Sequence, residues 1–368
     1  MNNRYRPGDL TGFRDGARVR MLSERIRAAY HGGLHKIMEV CGTHTMAIAR
    51  YGLRGLLPEG LVLLSGPGCP VCVTPASVIN AAVRLSKRKG TTILTFGDMM
   101  SVPGSDSSLE MMRSKGADVR VLYSVYDMLR IADEESDRQF VFISVGFETT
   151  TPGTALAVIE TKNRGLQNVS FLVANRLVIP AMDALMRSGE VRIEGFLCPG
   201  HVSVIIGSDA YKGVSGTYGV PCTVAGFEPV DILLAIDDLV QQIGTGSHEV
   251  NNRYSRAVRP EGNITARRAT DTVFEAQEAE WRGIGKIPAS GLALRREYGE
   301  YDALTRFNMR LEQAEDPPGC RCGDVLKGLI LPPECRLFGT RCTPERPVGP
   351  CMVSSEGSCS AYFKYQGI

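Results

Sequence analysis

The chain has 368 residues, 43% hydrophobic and 22% charged, and its 42 Lys and Arg against 40 Asp and Glu leave a formal charge of +2. That composition excludes a disordered or fibrous chain, and the balanced charge, with no long Lys/Arg run, excludes the footprint of a nucleic-acid or polyanion binder. The length allows two or three domains with cores of their own.

In chain order, the stretch Met1-Asn-Asn-Arg-Tyr-Arg-Pro-Gly8 is polar. No apolar run there or later reaches the length of a secretory h-region with its cleavage site, or of a membrane span, so the expected location is cytoplasmic, with no membrane partner. In a reducing compartment the eleven cysteines are expected to be metal ligands or redox thiols before they are a disulfide framework. The first sits in Met38-Glu-Val-Cys41-Gly-Thr-His44-Thr, just before a helical stretch at 46–51. A thiol at a helix N-terminus has its thiolate stabilised by unpaired backbone N–H groups, which makes Cys41 a candidate metal ligand or nucleophile. His44 could take its proton or add an imidazole ligand.

From about Leu61 to Pro229 one unit repeats: a short apolar run, a loop rich in Gly and polar residues, then a helical stretch. The runs are 61–66, 92–97, 119–123, 140–146, 169–174, 193–197 and 222–226. Short, largely apolar and separated by helix-length spacers, they read as buried parallel strands of an α/β protein. The charged segment Asp133-Glu-Glu-Ser-Asp-Arg138 suggests two α/β lobes facing a cleft, at 35–135 and 136–245. Residues 1–34 and 246–368 make up a helical and C-terminal Cys-rich iron–sulfur domain. Thr74-Pro75 and Thr151-Pro152 each look like an N-cap followed by a proline at the first helical position. A helix over 229–242 closes the second lobe.

In open α/β sheets ligands bind beyond the carboxyl ends of the strands. Here those ends carry Ser65-Gly-Pro-Gly-Cys69-Pro-Val-Cys72, Phe96-Gly-Asp98, Gly146-Phe-Glu148-Thr-Thr150, Cys198-Pro-Gly-His201 and Gly226-Phe-Glu228-Pro229. Cys69 and Cys72 have the spacing of a redox dithiol. The next helix is expected to start at Pro75, after the second cysteine, which departs from a thioredoxin-type site. Asp98, Glu148, Glu228 and His201 are cleft candidates, although each carboxylate would equally suit a helix N-terminus. Cys198 and Cys222 lie in apolar runs and read as core.

Beyond Gly246 one polar helix is expected over 265–280, and from Asp316 onward Pro, Gly and Cys dominate. Cys320, Cys322, Cys335, Cys342, Cys351 and Cys359 are separated by one, twelve, six, eight and seven residues. Zinc sites favour paired CxxC knuckles, whereas wide, uneven spacing suits a cubane iron–sulfur cluster with two thiols to spare.

Taken together, these residues resemble the hydrogenase maturation factor HypD family. The likeness runs through Met38-Glu-Val-Cys41-Gly-Thr-His44, Gly66-Pro-Gly-Cys69-Pro-Val-Cys72, Phe96-Gly-Asp98, Gly146-Phe-Glu148-Thr-Thr150, Pro199-Gly-His201-Val-Ser203, Ala225-Gly-Phe-Glu228-Pro229, Glu280-Trp-Arg-Gly283 and Met352-Val-Ser-Ser-Glu-Gly357. The resemblance implies a scaffold for the Fe(CN)2CO unit of [NiFe]-hydrogenase, a monomer within a hetero-complex with a HypC-type chaperone and a HypE-type cyanide donor. It also implies Cys41 as iron ligand with His44 nearby, Cys69 and Cys72 as the dithiol, Cys322, Cys335, Cys342 and Cys359 as ligands of a [4Fe-4S] cluster, and Cys320 with Cys351 as a redox disulfide. A free-standing CxxC thiol–disulfide oxidoreductase and a zinc-binding structural adaptor are the alternatives.

Overall fold

The computed structural model describes residues 11–365, so the polar stretch Met1–Gly8 lies outside the described residues. Its strands are β1 (His35–Glu39), β2 (Leu61–Ser65), β3 (Thr91–Thr95), β4 (Val119–Val121), β5 (Gln139–Ser144), β6 (Val169–Val173), β7 (Gly195–Pro199), β8 (Cys222–Ala225), β9 (Val250–Asn252), β10 (Phe274–Trp281) and β11 (Gly285–Leu294). They form a five-stranded sheet in the order β2-β1-β7-β8-β9, a four-stranded sheet in the order β4-β3-β5-β6, and the two-stranded β10-β11 hairpin. Every pairing inside the two larger sheets is parallel. This is the expected α/β architecture with parallel sheets and a Cys-rich C-terminal region.

All seven apolar runs become strands, within a residue or two of their ends. Strands of this kind are buried on both faces: β3 and β7 have no exposed residue. The sheets are interleaved along the chain, however. After β2 the chain leaves the first sheet, builds the whole of the second from β3 to β6, and returns for β7 to β9. The charged segment Asp133–Arg138 therefore falls inside the second sheet, between β4 and β5, and strands on either side of it belong together: β3 pairs with β5 from Thr91↔Gln139 to Leu94↔Phe142. Arg138 shows why the segment is charged without being a boundary, since it donates to Asp118 Oδ2 at 2.7 Å and to Thr92 Oγ1 at 3.0 Å across that sheet's edge.

The helix Pro229–Thr245 runs on to Thr245 and lies between the first sheet and the helix Gly16–Ala29. Ile232, Leu233, Ile236, Leu239 and Val240 recur at helical spacing and are buried with Leu22, Ile26 and Ile37. Asp15 caps the outer helix, accepting from the Ala17 N–H at 2.8 Å. Two helix starts fall one residue from expectation. Pro75 itself caps the helix Ala76–Ser86, and Thr150 caps Thr151–Asn163, with Pro152 in its first turn.

The polar helix expected over 265–280 ends early. It spans Ile264–Val273, and the next eight residues extend into β10. Ala, Glu and Gln favour helix locally, but Phe274 and Trp281 at the ends of the strand are buried only if it pairs with β11, and tertiary packing overrides propensity. Among the described residues no helix is long and apolar enough to cross a membrane.

Candidate functional site

The strand orders place the distinctive loops where the physics of open sheets puts ligands. In β2-β1-β7 the chain steps from β1 outward to one side while β7 flanks it on the other, so the carboxyl ends of β1 and β7 bound a switch-point crevice. Cys41 follows β1 and His201 follows β7. The second sheet repeats this with β4-β3-β5, where Asp98 follows β3 and Glu148 follows β5.

Cys41 is the N-cap of the helix Gly42–Arg50. In the first turn Gly42 donates to Gly68 O at 3.0 Å and Thr45 donates to Cys41 O at 3.0 Å, while the Thr43 and His44 N–H groups lie near the Cys41 sulfur without a hydrogen bond to it. Despite those donors, burial, with Glu356 and Glu39 nearby, pushes the thiol up to about 12. The expected lowering by the helix terminus is thus outweighed, and the thiol keeps its proton at physiological pH. Gly68 makes this packing feasible, because a Cβ there would stand 2.1 Å from the Cys41 nitrogen.

His44 is fully buried and its Nε2 donates to Gly226 O at 2.9 Å, which fixes the proton on that nitrogen. Nδ1 is buried without a partner, a bare lone pair. Burial holds the imidazole down to about 4, so it is neutral at physiological pH. Phe227 lies 4.9 Å from the His44 ring and stacks on His201 at 3.9 Å. His201, Phe227 and His44 thus form one ring assembly beside Cys41.

The carboxylates separate. Glu228 is held below the usual range by Arg14, whose Nε and Nη2 reach it at 2.5 and 2.9 Å, and it caps Pro229–Thr245 in a capping box with Asp231. Asp98 is exposed and accepts from Ser354 Oγ at 3.4 Å. That contact belongs to a C-terminal strap: two residues on, Glu356 accepts from Thr43 Oγ1 at 2.6 Å, so the strap links the carboxyl ends of both sheets beside Cys41. Glu148 caps the helix Val178–Ser188, accepting from the Val178 N–H at 3.0 Å, and burial raises it to about 7.

That shift has a testable sign. The folded chain holds the Glu148 proton to a higher pH than the unfolded chain, so its contribution is fully present below about 4.5 and is lost as pH rises through about 7. Glu148→Gln is expected to remove on the order of 2–3 kcal/mol of the stability decline between pH 4.5 and 7.5, measured by denaturant unfolding. An unchanged pH slope would contradict this.

Cys69 departs from the sequence reading. A short helix, Pro70–Val73, starts immediately after it, and its sulfur accepts from the Cys72 N–H at 3.3 Å. The first cysteine is therefore at a helix N-terminus after all; the second helix begins only at Ala76. Cys72 is fully buried and in side-chain contact with both Cys69 and Cys351. Cys351 in turn contacts Cys322 and Cys359, and Cys320 contacts Cys322. The thiols from Cys69 to Cys359 are thus contiguous. Cys320, Cys322, Cys335, Cys342 and Cys359 line one small pocket, with Cys351 on the side toward Cys72. Cys342 accepts from the Val348 N–H at 3.4 Å. Among the described residues no three of His, Cys, Asp or Glu are disposed to hold a single metal ion. Cys198 and Cys222 are fully buried on neighbouring strands of the first sheet, as core.

The sequence reading missed Glu39, Thr43 and Tyr254. Glu39 looks like an ordinary strand residue, yet it is fully buried. Tyr254, 6.1 Å from Phe227, lies in a loop without periodic signal. The motif Glu280–Gly283 proves to be a clamp: Arg282 donates its N–H to Val73 O at 2.9 Å and its Nε to Asp316 at 2.6 Å, tying the hairpin to the dithiol turn.

Comparison with known proteins agrees over nearly the whole chain. The HypD family model, described as "Hydrogenase formation hypA family", matches residues 17–366. Hydrogenase maturation factor HypD of Rhizobium leguminosarum bv. viciae is 46% identical over 363 residues, covering 96% of this chain and 94% of the relative. HypD2 of Bradyrhizobium diazoefficiens is 45% identical over 362 residues, covering 96% and 95%. HypD of Escherichia coli K12 is 43% identical over 332 residues, covering 90% and 89%.

Proposed function

The chain belongs to the HypD family, and from that premise we propose that it is a cytoplasmic hydrogenase maturation factor, the scaffold on which the Fe(CN)2CO unit of [NiFe]-hydrogenase is assembled. It acts as a monomer within a hetero-complex: a HypC-type chaperone shares the iron, and a HypE-type partner delivers cyanide. The observation that carries this reading is the contiguity of buried thiols that ends beside Cys41, where Gly68 packs on the Cys41 backbone one residue before Cys69.

The chemistry follows from the surroundings. Iron is the cargo, and Cys41 binds it as thiolate, giving up its proton to the cation. Glu356 and Asp98 add negative charge around an incoming cation, and the bare His44 Nδ1 offers a neutral donor on the same wall. Phe227, stacked on the exposed His201, packs against the His44 ring on that side.

Cys69 and Cys72 form the redox couple, exchanging two electrons and two protons as dithiol and disulfide. Cys322, Cys335, Cys342 and Cys359 would hold a [4Fe-4S] cluster, and a pocket lined by five cysteines among apolar residues, with an N–H donor to Cys342, suits it. When bound, such a cluster supplies single electrons there. Cys351 touches both Cys72 and two of those thiols, which supports a handover role; Cys320 completes the thiol set at Cys322. Cys69 and Cys72 are too buried for a diffusible substrate, which disfavours a free-standing oxidoreductase.

A host lacking its own HypD-type factor tests the reading. The wild-type chain is expected to restore hydrogenase activity, and Cys69→Ser/Cys72→Ser to leave it at background while the protein still co-purifies with the chaperone. Full activity from the double variant would sink the proposed role of the dithiol.

A further inference from the structure

Glu39 sits beneath Cys41 and ties three segments together. Its carboxylate accepts from the Thr45 hydroxyl at 2.6 and 2.7 Å and from the Ser65 hydroxyl at 2.8 Å. Thr45 belongs to the helix that Cys41 caps, and Ser65 ends β2 at the head of the loop leading to Cys69 and Cys72. The same Thr45 hydroxyl also lies 3.3 Å from Cys41 O. Arg54 supplies opposite charge nearby, its guanidinium 4.7 Å over the Tyr362 ring of the last helix.

A buried carboxylate is costly unless its oxygens are satisfied, and here every donor it gathers serves the position of one sulfur. With the Gly42 N–H on Gly68 O and both the Thr45 N–H and the Glu39-bound Thr45 hydroxyl at Cys41 O, the Cys41 backbone is held from both sides. The Ser65 bond sets where the dithiol loop departs relative to that sulfur. We infer that Glu39 is a positioning residue for the iron-binding thiol: it orients Cys41 and fixes the dithiol loop against it, without touching the iron itself. The inference rests on Cys41 binding iron, as proposed above.

Outer partners of metal ligands orient them, and their loss typically lowers metal affinity about 10–100-fold. The test uses the full chain co-purified anaerobically with its chaperone, with iron content and the infrared CN and CO bands as readouts. Glu39→Gln keeps the shape but removes the negative charge and turns one of the two acceptor oxygens into an NH2 donor, and Thr45→Val removes one of the hydroxyl donors while leaving the carboxylate in place. Both variants are expected to keep the wild-type melting temperature within a few degrees. Glu39→Gln should lose iron about 10-fold or more and show shifted or broadened CO and CN bands, and Thr45→Val should show the same displacement to a smaller degree. Wild-type iron content with unmoved bands in both variants overturns the inference, as does iron loss with bands unmoved, which a purely structural role would give. A wild-type complex holding no iron would instead overturn the reading of Cys41.

Discussion

Cys41→Ala is expected to abolish iron retention by the chaperone complex while leaving the chain folded. The substitution removes one sulfur from a buried site, at a stability cost of about 1 kcal/mol, because Gly42 and Thr45 keep their backbone partners at Gly68 O and Cys41 O. The iron loses the thiolate ligand at the N-cap position of the helix Gly42–Arg50. Cys198→Ala provides the control: that thiol is just as buried but lies in the core, so its loss should cost similar stability and no iron. Iron per chain and the melting temperature, measured on both variants, separate a ligand from a packing residue. Equal iron in Cys41→Ala and wild type would contradict the assignment.

The second large effect is expected at a residue with no chemistry of its own. Gly349 faces the thiol cavity, and a Cβ there would stand 2.5 Å from the Cys320 sulfur and 2.6 Å from the Cys322 sulfur. Its φ is −119°, so alanine meets no backbone strain and only space decides. Gly349→Ala should therefore displace the thiols, and Gly349→Val should empty the cavity of any iron–sulfur centre. The expected result is a colourless anaerobic preparation, lacking the broad visible absorption of the wild type, in which both sheets stay folded because their cores do not depend on Gly349. A brown Gly349→Val protein with undiminished iron and sulfide would mean that the cavity is not the cluster site.

Much of this arrangement was legible from local pattern. Buried parallel strands leave uninterrupted apolar runs, so β2 to β8 were visible, and the rule for strand ends led directly to Cys69, Asp98, Glu148, His201 and Glu228, while Cys41 stood out by its place before a helical stretch. Pairing was not legible, because no local signal says that β1 takes β7 as its neighbour, with Met38 opposite Phe196, after the whole second sheet has intervened. β1 itself was hidden: His35, Lys36 and Glu39 make it read as polar, although it is an inner strand of its sheet. Glu39 is there to accept from the Thr45 and Ser65 hydroxyls, and those partners come together only in three dimensions. The strap to Asp98 and Thr43 was invisible for the same reason, joining residues more than 250 positions apart. Among the expected cleft carboxylates, Glu228 and Glu148 proved to be caps, the ordinary use of an acidic residue at a helix start.

The central claim is that Cys41 holds the iron unit during assembly. Infrared spectroscopy of the chain co-purified anaerobically with its chaperone, from a host that makes [NiFe]-hydrogenase, tests it most directly. The predicted result is CN and CO stretching bands in the wild-type complex that vanish in Cys41→Ala and persist in Cys198→Ala. Bands of equal intensity in the Cys41→Ala complex would contradict it.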